Sequence, residues 1–497
     1  MKLSGLIEKL EVLSCLGTVD KEITEIVVDS RKACENGLFI CIRGAVADGH
    51  AYIEEVVKKG CTALIVEEDV DTLDSVTVIK VEDSRLALAE VAAAYYGHPA
   101  DKLTTIGVTG TKGKTTTSYM VKSILEHAGI KTGLIGTIET IIGEKHIPAN
   151  NTTPESILIQ QYFSEMVKAG CTHVVMEVSS QGLMLHRVAG FTFTYGMFTN
   201  LEADHIGPNE HKDFKDYLRC KSLLFQACRH AIVNGDDAHT EEVLKNNCCD
   251  SISRFGFGET ADVRAGELTL VNKDGYLGVS FPIHGWTEDR IRVDIPGRFS
   301  VYNALAAITL ALKMKISMPV IKEALDHVKV KGRVELVPVS KEYTVLIDYA
   351  HNAMSLKSLL TTIKEYNPGR LIVLFGCGGN RSRLRRFEMG EIASKFADLT
   401  IVTSDNPRDE EPKDIIADIL TGVKKGPGEY VTIENRKQAI KYGIEYAKPG
   451  DILVLAGKGH ETYQEIKGKK YDMDERVLVE EVKKELGLER ELAKATV

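Results

Sequence analysis

Several things are missing from this chain, and each absence excludes a class of protein. Its ten cysteines are scattered without a CxxC pair, and Cys248 and Cys249 are adjacent, so neither a disulfide framework nor a zinc site is written into it. Free thiols in a large chain fit a reducing, cytoplasmic setting. No apolar run is long enough to cross a bilayer, and the opening MKLSGLIEKLEVLS lacks a basic region followed by a long apolar core. No membrane insertion and no signal peptide are therefore expected. The net charge of −9 leaves no basic footprint for nucleic acid. There is no internal repeat and no low-complexity tract.

What is present is a long mixed α/β pattern. A chain of 497 residues with 43% hydrophobic residues has material for about three domains of roughly 150 residues each. Short apolar strand candidates at 26–29, 38–43, 63–66 and 77–81, with a helical segment at 52–59, predict a small α/β domain over residues 1–99. His98 and Pro99 break the chain there. Residues 100–331 alternate strands (133–136, 173–177, 195–199, 231–234) with helices, which predicts a mostly parallel sheet covered on both faces. Within them, 262–293 reads as an antiparallel insert or edge, with turns at 273–275 and 284–285. From 332 to 497, strands at 345–348, 371–375, 399–403 and 452–456 each end in a polar or glycine-rich loop, as in an open, Rossmann-like α/β sheet.

Residues 103–117, LTTIGVTGTKGKTTT, say most about function. A buried strand runs into a glycine turn, and the turn into a helix. Gly110, Thr111, Lys112, Gly113, Lys114, Thr115 and Thr116 make a phosphate cradle. The glycines let backbone N–H groups approach an anion, the helix N-terminus adds positive dipole, Lys114 adds a charge, and the Thr115 hydroxyl can hold Mg²⁺. Val108 stands where the strict Walker pattern has glycine, so this is a shortened variant. Met120, Val121, Ile124, Leu125 and Ala128 give the helix behind it an apolar face. A nucleoside triphosphate with Mg²⁺ is the expected ligand.

Further residues stand at strand ends. Glu177 closes HVVMEVSS and can hold Mg²⁺ on the phosphates. His205, in MFTNLEADH, is a second metal ligand or a phosphate contact, or else structural. Asn234 and Asp236 either meet a nucleotide or form an Asx turn. Lys221, in DYLRCKSLLF, reads from its spacing alone as an ordinary helix lysine. In the last third, GCGGNRSRLRR carries four arginines, TSDNPRDEEP sets Asp405 close to Arg408, and AGKGHE presents Gly457 and Glu461. Mixed charge on adjacent strand-end loops suits a zwitterion such as an amino acid.

Together these motifs resemble the Mur ligases of bacterial peptidoglycan synthesis, along the whole chain. The resemblance implies an ATP-dependent amide ligase that extends UDP-N-acetylmuramoyl-L-Ala-D-Glu with a diamino acid. VVDSRKACENGLF implies that Ser30 sits on the uridine nucleotide, and NNTTPES implies substrate contacts through Asn151, Thr152 and Thr153. MEVSSQGLMLHR implies further contacts through Ser179 and Arg187, with Glu177 on the metal. Gln181 and Leu185 replace residues usual in the family. YLRCKSLLF implies that Lys221 is carbamylated and becomes an oxygen ligand for Mg²⁺, and GRFSVYNALAAI puts Asn303 near ATP. DYAHNAMSL lacks the family's usual proline but keeps Asp348 and His351. Arg386, Asp405, Asn406, Pro407, Arg408, Gly457 and Glu461 line the amino-acid pocket by the same resemblance. DNPR accompanies meso-diaminopimelate, whose extra carboxylate an arginine can pair, in contrast to L-lysine. NLEADHIGPNEHKDF and Phe387 depart from the diaminopimelate pattern, and the former is closer to some lysine-adding members. Folylpolyglutamate synthase shares the ATP loop but lacks the DSR and NNTTP segments. A switch protein that hydrolyses ATP without an amino-acid acceptor is the alternative from another class.

Overall fold

The computed structural model describes residues 1–44, 47–71, 75–207, 210–273 and 276–488. They form two compact units, one of residues 1–262 and 306–316, the other of residues 263–305 and 317–497. No helix among the described residues is long and apolar enough to cross a membrane. All ten cysteines are unpaired.

The first unit holds a five-stranded sheet near its N-terminus, in the order Ser14–Leu16, Thr77–Lys80, Ala63–Val66, Gly37–Ile40, Glu25–Val27. Ser14–Leu16 pairs antiparallel and the rest are parallel. The helix Ser84–Tyr95 packs on it, capped by Asp83, whose carboxylate accepts from the N–H groups of Arg85 and Leu86. Gly97 and His98 then take left-handed backbone (φ 72° and 49°), and Pro99 opens the next turn. The predicted helix at 52–59 is shorter than expected: Ile53–Lys58, entered through a 3₁₀ turn at Gly49–Tyr52.

The larger sheet of this unit has a parallel core in the order Thr132–Ile135, His173–Glu177, Thr104–Thr109, Phe193–Phe198, Cys228–Asn234, Ser251–Gly256. A hairpin, Glu139–Ile142 with Lys145–Pro148, adds an antiparallel edge that the sequence pattern did not reveal. Thr104–Thr109 is central, buried on both faces, which is why it reads as a continuous apolar run. Its C-terminal loop therefore lies beside those of His173–Glu177 and Phe193–Phe198, in the crevice where open α/β sheets bind ligands.

In the second unit, Tyr276–Gly285 pairs antiparallel with Val263–Ala265, Thr269–Lys273 and Asp289–Val293. The antiparallel character expected for 262–293 is thus present. Residues 274–275 of the expected first turn lie outside the described residues; the second turn follows Gly285 (φ 109°). The remaining sheet is six-stranded, in the order Glu335–Val337, Thr344–Asp348, Ile452–Ala456, Leu371–Phe375, Leu399–Val402, Glu429–Thr432. Only its first pair is antiparallel. A two-stranded hairpin, Tyr463–Ile466 with Lys469–Asp472, follows the last strand-end loop.

Candidate active site

The phosphate loop is held open by its neighbours. Gly110 has φ 147°, and a Cβ there would lie 1.9 Å from Thr199 Oγ1. Gly113 (φ 85°) is the N-cap of the helix Lys114–His127. Thr111 N–H donates to the Asn200 carbonyl (2.9 Å), and Lys112 N–H to Asn200 Oδ1 (2.9 Å). Thr199 Oγ1 and Asn200 Nδ2 both donate to the Lys112 carbonyl (2.7 and 3.0 Å). The loop is thus fixed by backbone and amide contacts from the adjacent strand end. The Lys114 ammonium donates to the carbonyls of Gly110 (2.9 Å) and Thr111 (3.0 Å), folded over the cradle.

Glu177 is fully buried at the end of its strand, where two hydroxyls and a backbone N–H among the described residues donate to it. Thr115 Oγ1 donates to Oε2 (3.0 Å), Thr137 Oγ1 to Oε2 (2.9 Å) and Thr137 N–H to Oε1 (2.9 Å). A Cβ on Gly136 would stand 2.5 Å from Oε1, so the carboxylate needs that glycine. An all-oxygen set of one carboxylate and two hydroxyls beside a phosphate loop has the hard-donor chemistry that Mg²⁺ takes. These residues fit the ion.

Lys221 is also fully buried, on the helix Phe214–Gln226. Its Nζ donates to the Gly110 carbonyl (2.8 Å) and lies 4.6 Å from the Tyr217 ring centroid. Burial first, then the nearby Lys114 charge, holds its pKa well below the usual lysine range. The Tyr217 hydroxyl shares a 3.1 Å hydrogen bond with Thr111 Oγ1, and burial pushes its pKa up to about 12. The lysine that spacing marks as an ordinary surface group is thus inside, on the phosphate loop. Helical amphipathy cannot report that, because the loop it meets comes from 111 residues away.

His205 is half-exposed: its imidazole is 49% exposed, with Nδ1 3.1 Å from Glu210 Oε1 and its ring 6.1 Å from that of Tyr217. It contacts neither Glu177 nor the loop glycines, and part of the quoted segment, residues 208–209, lies outside the described residues. Asn234 and Asp236 take the turn alternative. Asp236 N–H donates to Asn234 Oδ1 (3.0 Å), and Asn234 Nδ2 donates to the Thr199 carbonyl (2.8 Å).

Thr152 and Thr153 do meet the Glu177 neighbourhood. The Thr152 and Thr137 hydroxyls are 3.0 Å apart; Thr153 Oγ1 donates to the Glu177 carbonyl (3.0 Å) and accepts from Ser179 N–H (2.9 Å). Arg187 donates to the Thr153 carbonyl (3.0 Å) and pairs with Glu155 (2.6 Å). Ser179 caps the helix Ser180–Met184, and Asn151 is exposed. Ser30 opens a 3₁₀ turn, half-buried, its carbonyl taken by Lys59. Asn303 lies, buried, on the helix Arg298–Lys313 of the other sequence region.

In the second unit, the loops after Leu371–Phe375, Leu399–Val402 and Ile452–Ala456 converge. Asn406 Nδ2 donates to Glu461 Oε2 (2.9 Å), and the fully buried Lys458 donates to both Asn406 Oδ1 (2.9 Å) and Glu461 Oε2 (2.7 Å). Gly457 (φ 106°) sits where a Cβ would be 3.1 Å from Asp405 Oδ2. Arg408, also left-handed (φ 53°), follows Pro407 and donates from Nη1 to the Gly379 carbonyl (2.8 Å). Arg386 departs from its expected place as a ligand contact. It is 1% exposed, and its Nη2 and Nη1 pair with Glu410 (2.7 Å) and Asp418 (3.0 Å). Its helix, Arg383–Phe396, turns it inward, and the two carboxylates neutralise it there. Lys458 and Glu465 are members of this constellation that spacing did not single out. Lys458 stood within AGKGHE, but its burial carries no sequence signal.

Residues 22–96 match the Mur ligase family catalytic domain, 108–311 the Mur ligase middle domain and 332–459 the Mur ligase glutamate ligase domain. The chain is 44% identical to a UDP-N-acetylmuramoyl-L-alanyl-D-glutamate–2,6-diaminopimelate ligase of Caldanaerobacter subterraneus, over 94% of this chain and 96% of that one. It is 42% identical to a ligase of the same description from Clostridium acetobutylicum, over 98% of this chain and 100% of that one. A solved structure of a ligase so described superposes with a TM-score of 0.73 at 28% identity, covering 98% of this chain and 99% of the other.

Proposed function

Because the chain belongs to the Mur ligase family, we propose that it is the ATP-dependent ligase that adds meso-2,6-diaminopimelate to the D-glutamate of UDP-N-acetylmuramoyl-L-Ala-D-Glu, a step of peptidoglycan precursor synthesis. The observation that carries this reading is the end-to-end match to relatives described by that reaction.

The chemistry runs in two steps. The D-glutamyl carboxylate attacks the γ-phosphorus of ATP, giving an acyl phosphate and ADP. The amine of the diamino acid attacks the acyl carbon, and the tetrahedral intermediate collapses with loss of inorganic phosphate and a proton. The protein contributes positioning and charge neutralisation. The N–H groups at the helix N-terminus, residues 114–116, receive the phosphates, and Lys114 swings from its carbonyl partners onto them. Thr115 and Glu177 would hold Mg²⁺, which supplies charge neutralisation on the phosphate oxygens when bound. A buried amine held neutral can add to CO₂ with loss of a proton, and the carbamate so formed on Lys221 would give two further oxygens beside the loop.

Ser30, Asn151, Thr152, Thr153, Ser179 and Arg187 are assigned to the uridine-linked substrate, and Asn303 to ATP. Asp405, Asn406, Arg408, Gly457 and Glu461 are assigned to the amino acid. Arg408 pairs the distal carboxylate that lysine lacks, and Glu461 meets an ammonium. Half-exposed His205 is assigned to the metal or the γ-phosphate, and Arg386, buried against Glu410 and Asp418, is given no direct contact. Comparing kcat/KM for meso-diaminopimelate and L-lysine tests the amino-acid assignment. A preference for lysine would replace that substrate and leave the ligase reaction standing.

A further inference from the structure

We propose that Glu465, on the hairpin Tyr463–Ile466, is the positioning residue that aims Arg408 at the amino-acid substrate and so sets its selectivity. The proposal rests on the reading of Arg408 as the group that pairs the distal carboxylate.

Arg408 is awkward to hold. Its backbone is left-handed (φ 53°), a conformation that a side chain this size adopts only when neighbours enforce it. The enforcement comes from the hairpin. Arg408 N–H donates to the Glu465 carbonyl (3.0 Å), and Lys467 N–H donates to the Arg408 carbonyl (2.8 Å), a parallel bridge centred on Ile466. The lacing continues upstream: Glu465 N–H donates to Asn406 Oδ1 (2.9 Å), and Gln464 Nε2 to the Asp405 carbonyl (2.7 Å). Residues 405–408 thus run along 464–467 as along a short rail.

Of the hairpin residues in this lacing, Glu465 also grips the guanidinium. Its Oε2 accepts from Arg408 Nε at 3.1 Å, while Nη1 is taken by the Gly379 carbonyl. A Cβ on Gly378 would stand 2.8 Å from Nη1, so a larger residue there would push the guanidinium aside. Two of the five N–H donors of the fork are spent on orientation, and three remain for a ligand carboxylate. Arg408 and Glu465 side chains are 22% and 27% exposed, sheltered enough for the pair to persist and open enough for a small zwitterion to arrive. An arginine fixed in advance loses less freedom on binding than one swinging in solvent.

The test is a double-mutant cycle on the full-length enzyme with ATP and the uridine-linked dipeptide saturating. Glu465→Ala is expected to raise the KM for meso-diaminopimelate roughly tenfold, leaving the KM for ATP and kcat within about twofold. Glu465→Gln, which keeps an acceptor for Nε, is expected to recover most of that loss. In an Arg408→Ala background, Glu465→Ala should add nothing. An unchanged diaminopimelate KM in Glu465→Ala, or an equal loss with and without Arg408, overturns the positioning role. If Arg408→Ala alone leaves the diaminopimelate KM untouched, the pocket assignment beneath the proposal falls with it.

Discussion

The Thr115 hydroxyl donates to the Glu177 carboxylate across 3.0 Å, joining the phosphate loop to the end of the neighbouring strand. The two residues are 62 positions apart and meet because Thr104–Thr109 and His173–Glu177 are adjacent parallel strands. Glu177→Gln keeps the shape and removes the charge a divalent cation needs. It should lower kcat by at least about a hundredfold and raise the Mg²⁺ concentration for half-maximal rate, with the melting temperature little changed. A Mg²⁺ titration of the variant checks this, and an unaltered titration would remove Glu177 from the metal site.

Lys114→Ala should abolish ligation in a folded protein. The lysine now rests on two loop carbonyls, which accept water equally well once it is gone, so the fold loses little. The transferring phosphoryl group loses its charged donor, and at about 1.4 kcal/mol per tenfold several kcal/mol of barrier means a loss of roughly 10²–10⁴. Circular dichroism alongside steady-state turnover separates the two effects.

Lys221→Ala should be inactive and partly rescued by added short-chain carboxylic acids, which can supply the oxygens a carbamate would give. Lys221→Met should not be rescued, because it fills the space, and should melt no lower than the wild type, since a desolvated amine is replaced by apolar atoms. Intact-protein mass measured in bicarbonate under non-denaturing conditions should show the added CO₂. Full activity in Lys221→Ala would reject the assignment.

The acid limb of stability should depend on His460. Burial, with Arg333 and Arg476 nearby, holds its imidazole down to about 4, and its Nδ1 is buried without a partner. The unfolded chain takes up this proton near pH 6.5, while the folded one refuses it until about 4. Stability therefore falls as the pH drops through that window, by at most about 3.5 kcal/mol from this group. His460→Gln should flatten the limb, seen as a wild-type-minus-variant difference in melting temperature that changes sign or shrinks between pH 7 and pH 4.5. A pH-independent difference would show that the ring is not the titrating group.

The strands that carry these groups were legible because parallel strands buried on both faces are continuous apolar runs. His173–Glu177, Leu371–Phe375 and Ile452–Ala456 begin and end where the pattern puts them. Lys145–Pro148 and the hairpin Tyr463–Ile466/Lys469–Asp472 were not, since polar, exposed or half-exposed edges have no such run, and buried Glu139–Ile142 is only four residues long. The phosphate loop was legible because glycine spacing encodes backbone geometry directly. Burial of charge was the blind spot. Lys221, Lys458 and Arg386 look like surface cations in sequence, and each has a hydrogen-bond partner more than 20 positions away that spacing cannot reveal. The resemblance named Lys221 and Arg386 but could not say that Arg386 would be buried against Glu410 and Asp418.

The most direct test of the whole account is phosphate release measured in an omission series. ATP and Mg²⁺ are present throughout, with UDP-N-acetylmuramoyl-L-Ala-D-Glu and meso-diaminopimelate added singly and together. The account predicts sustained release only when both are present, with one amide-linked product formed per phosphate. Sustained release from ATP alone, unaffected by either substrate, would contradict it and mark the chain as an ATP-hydrolysing switch.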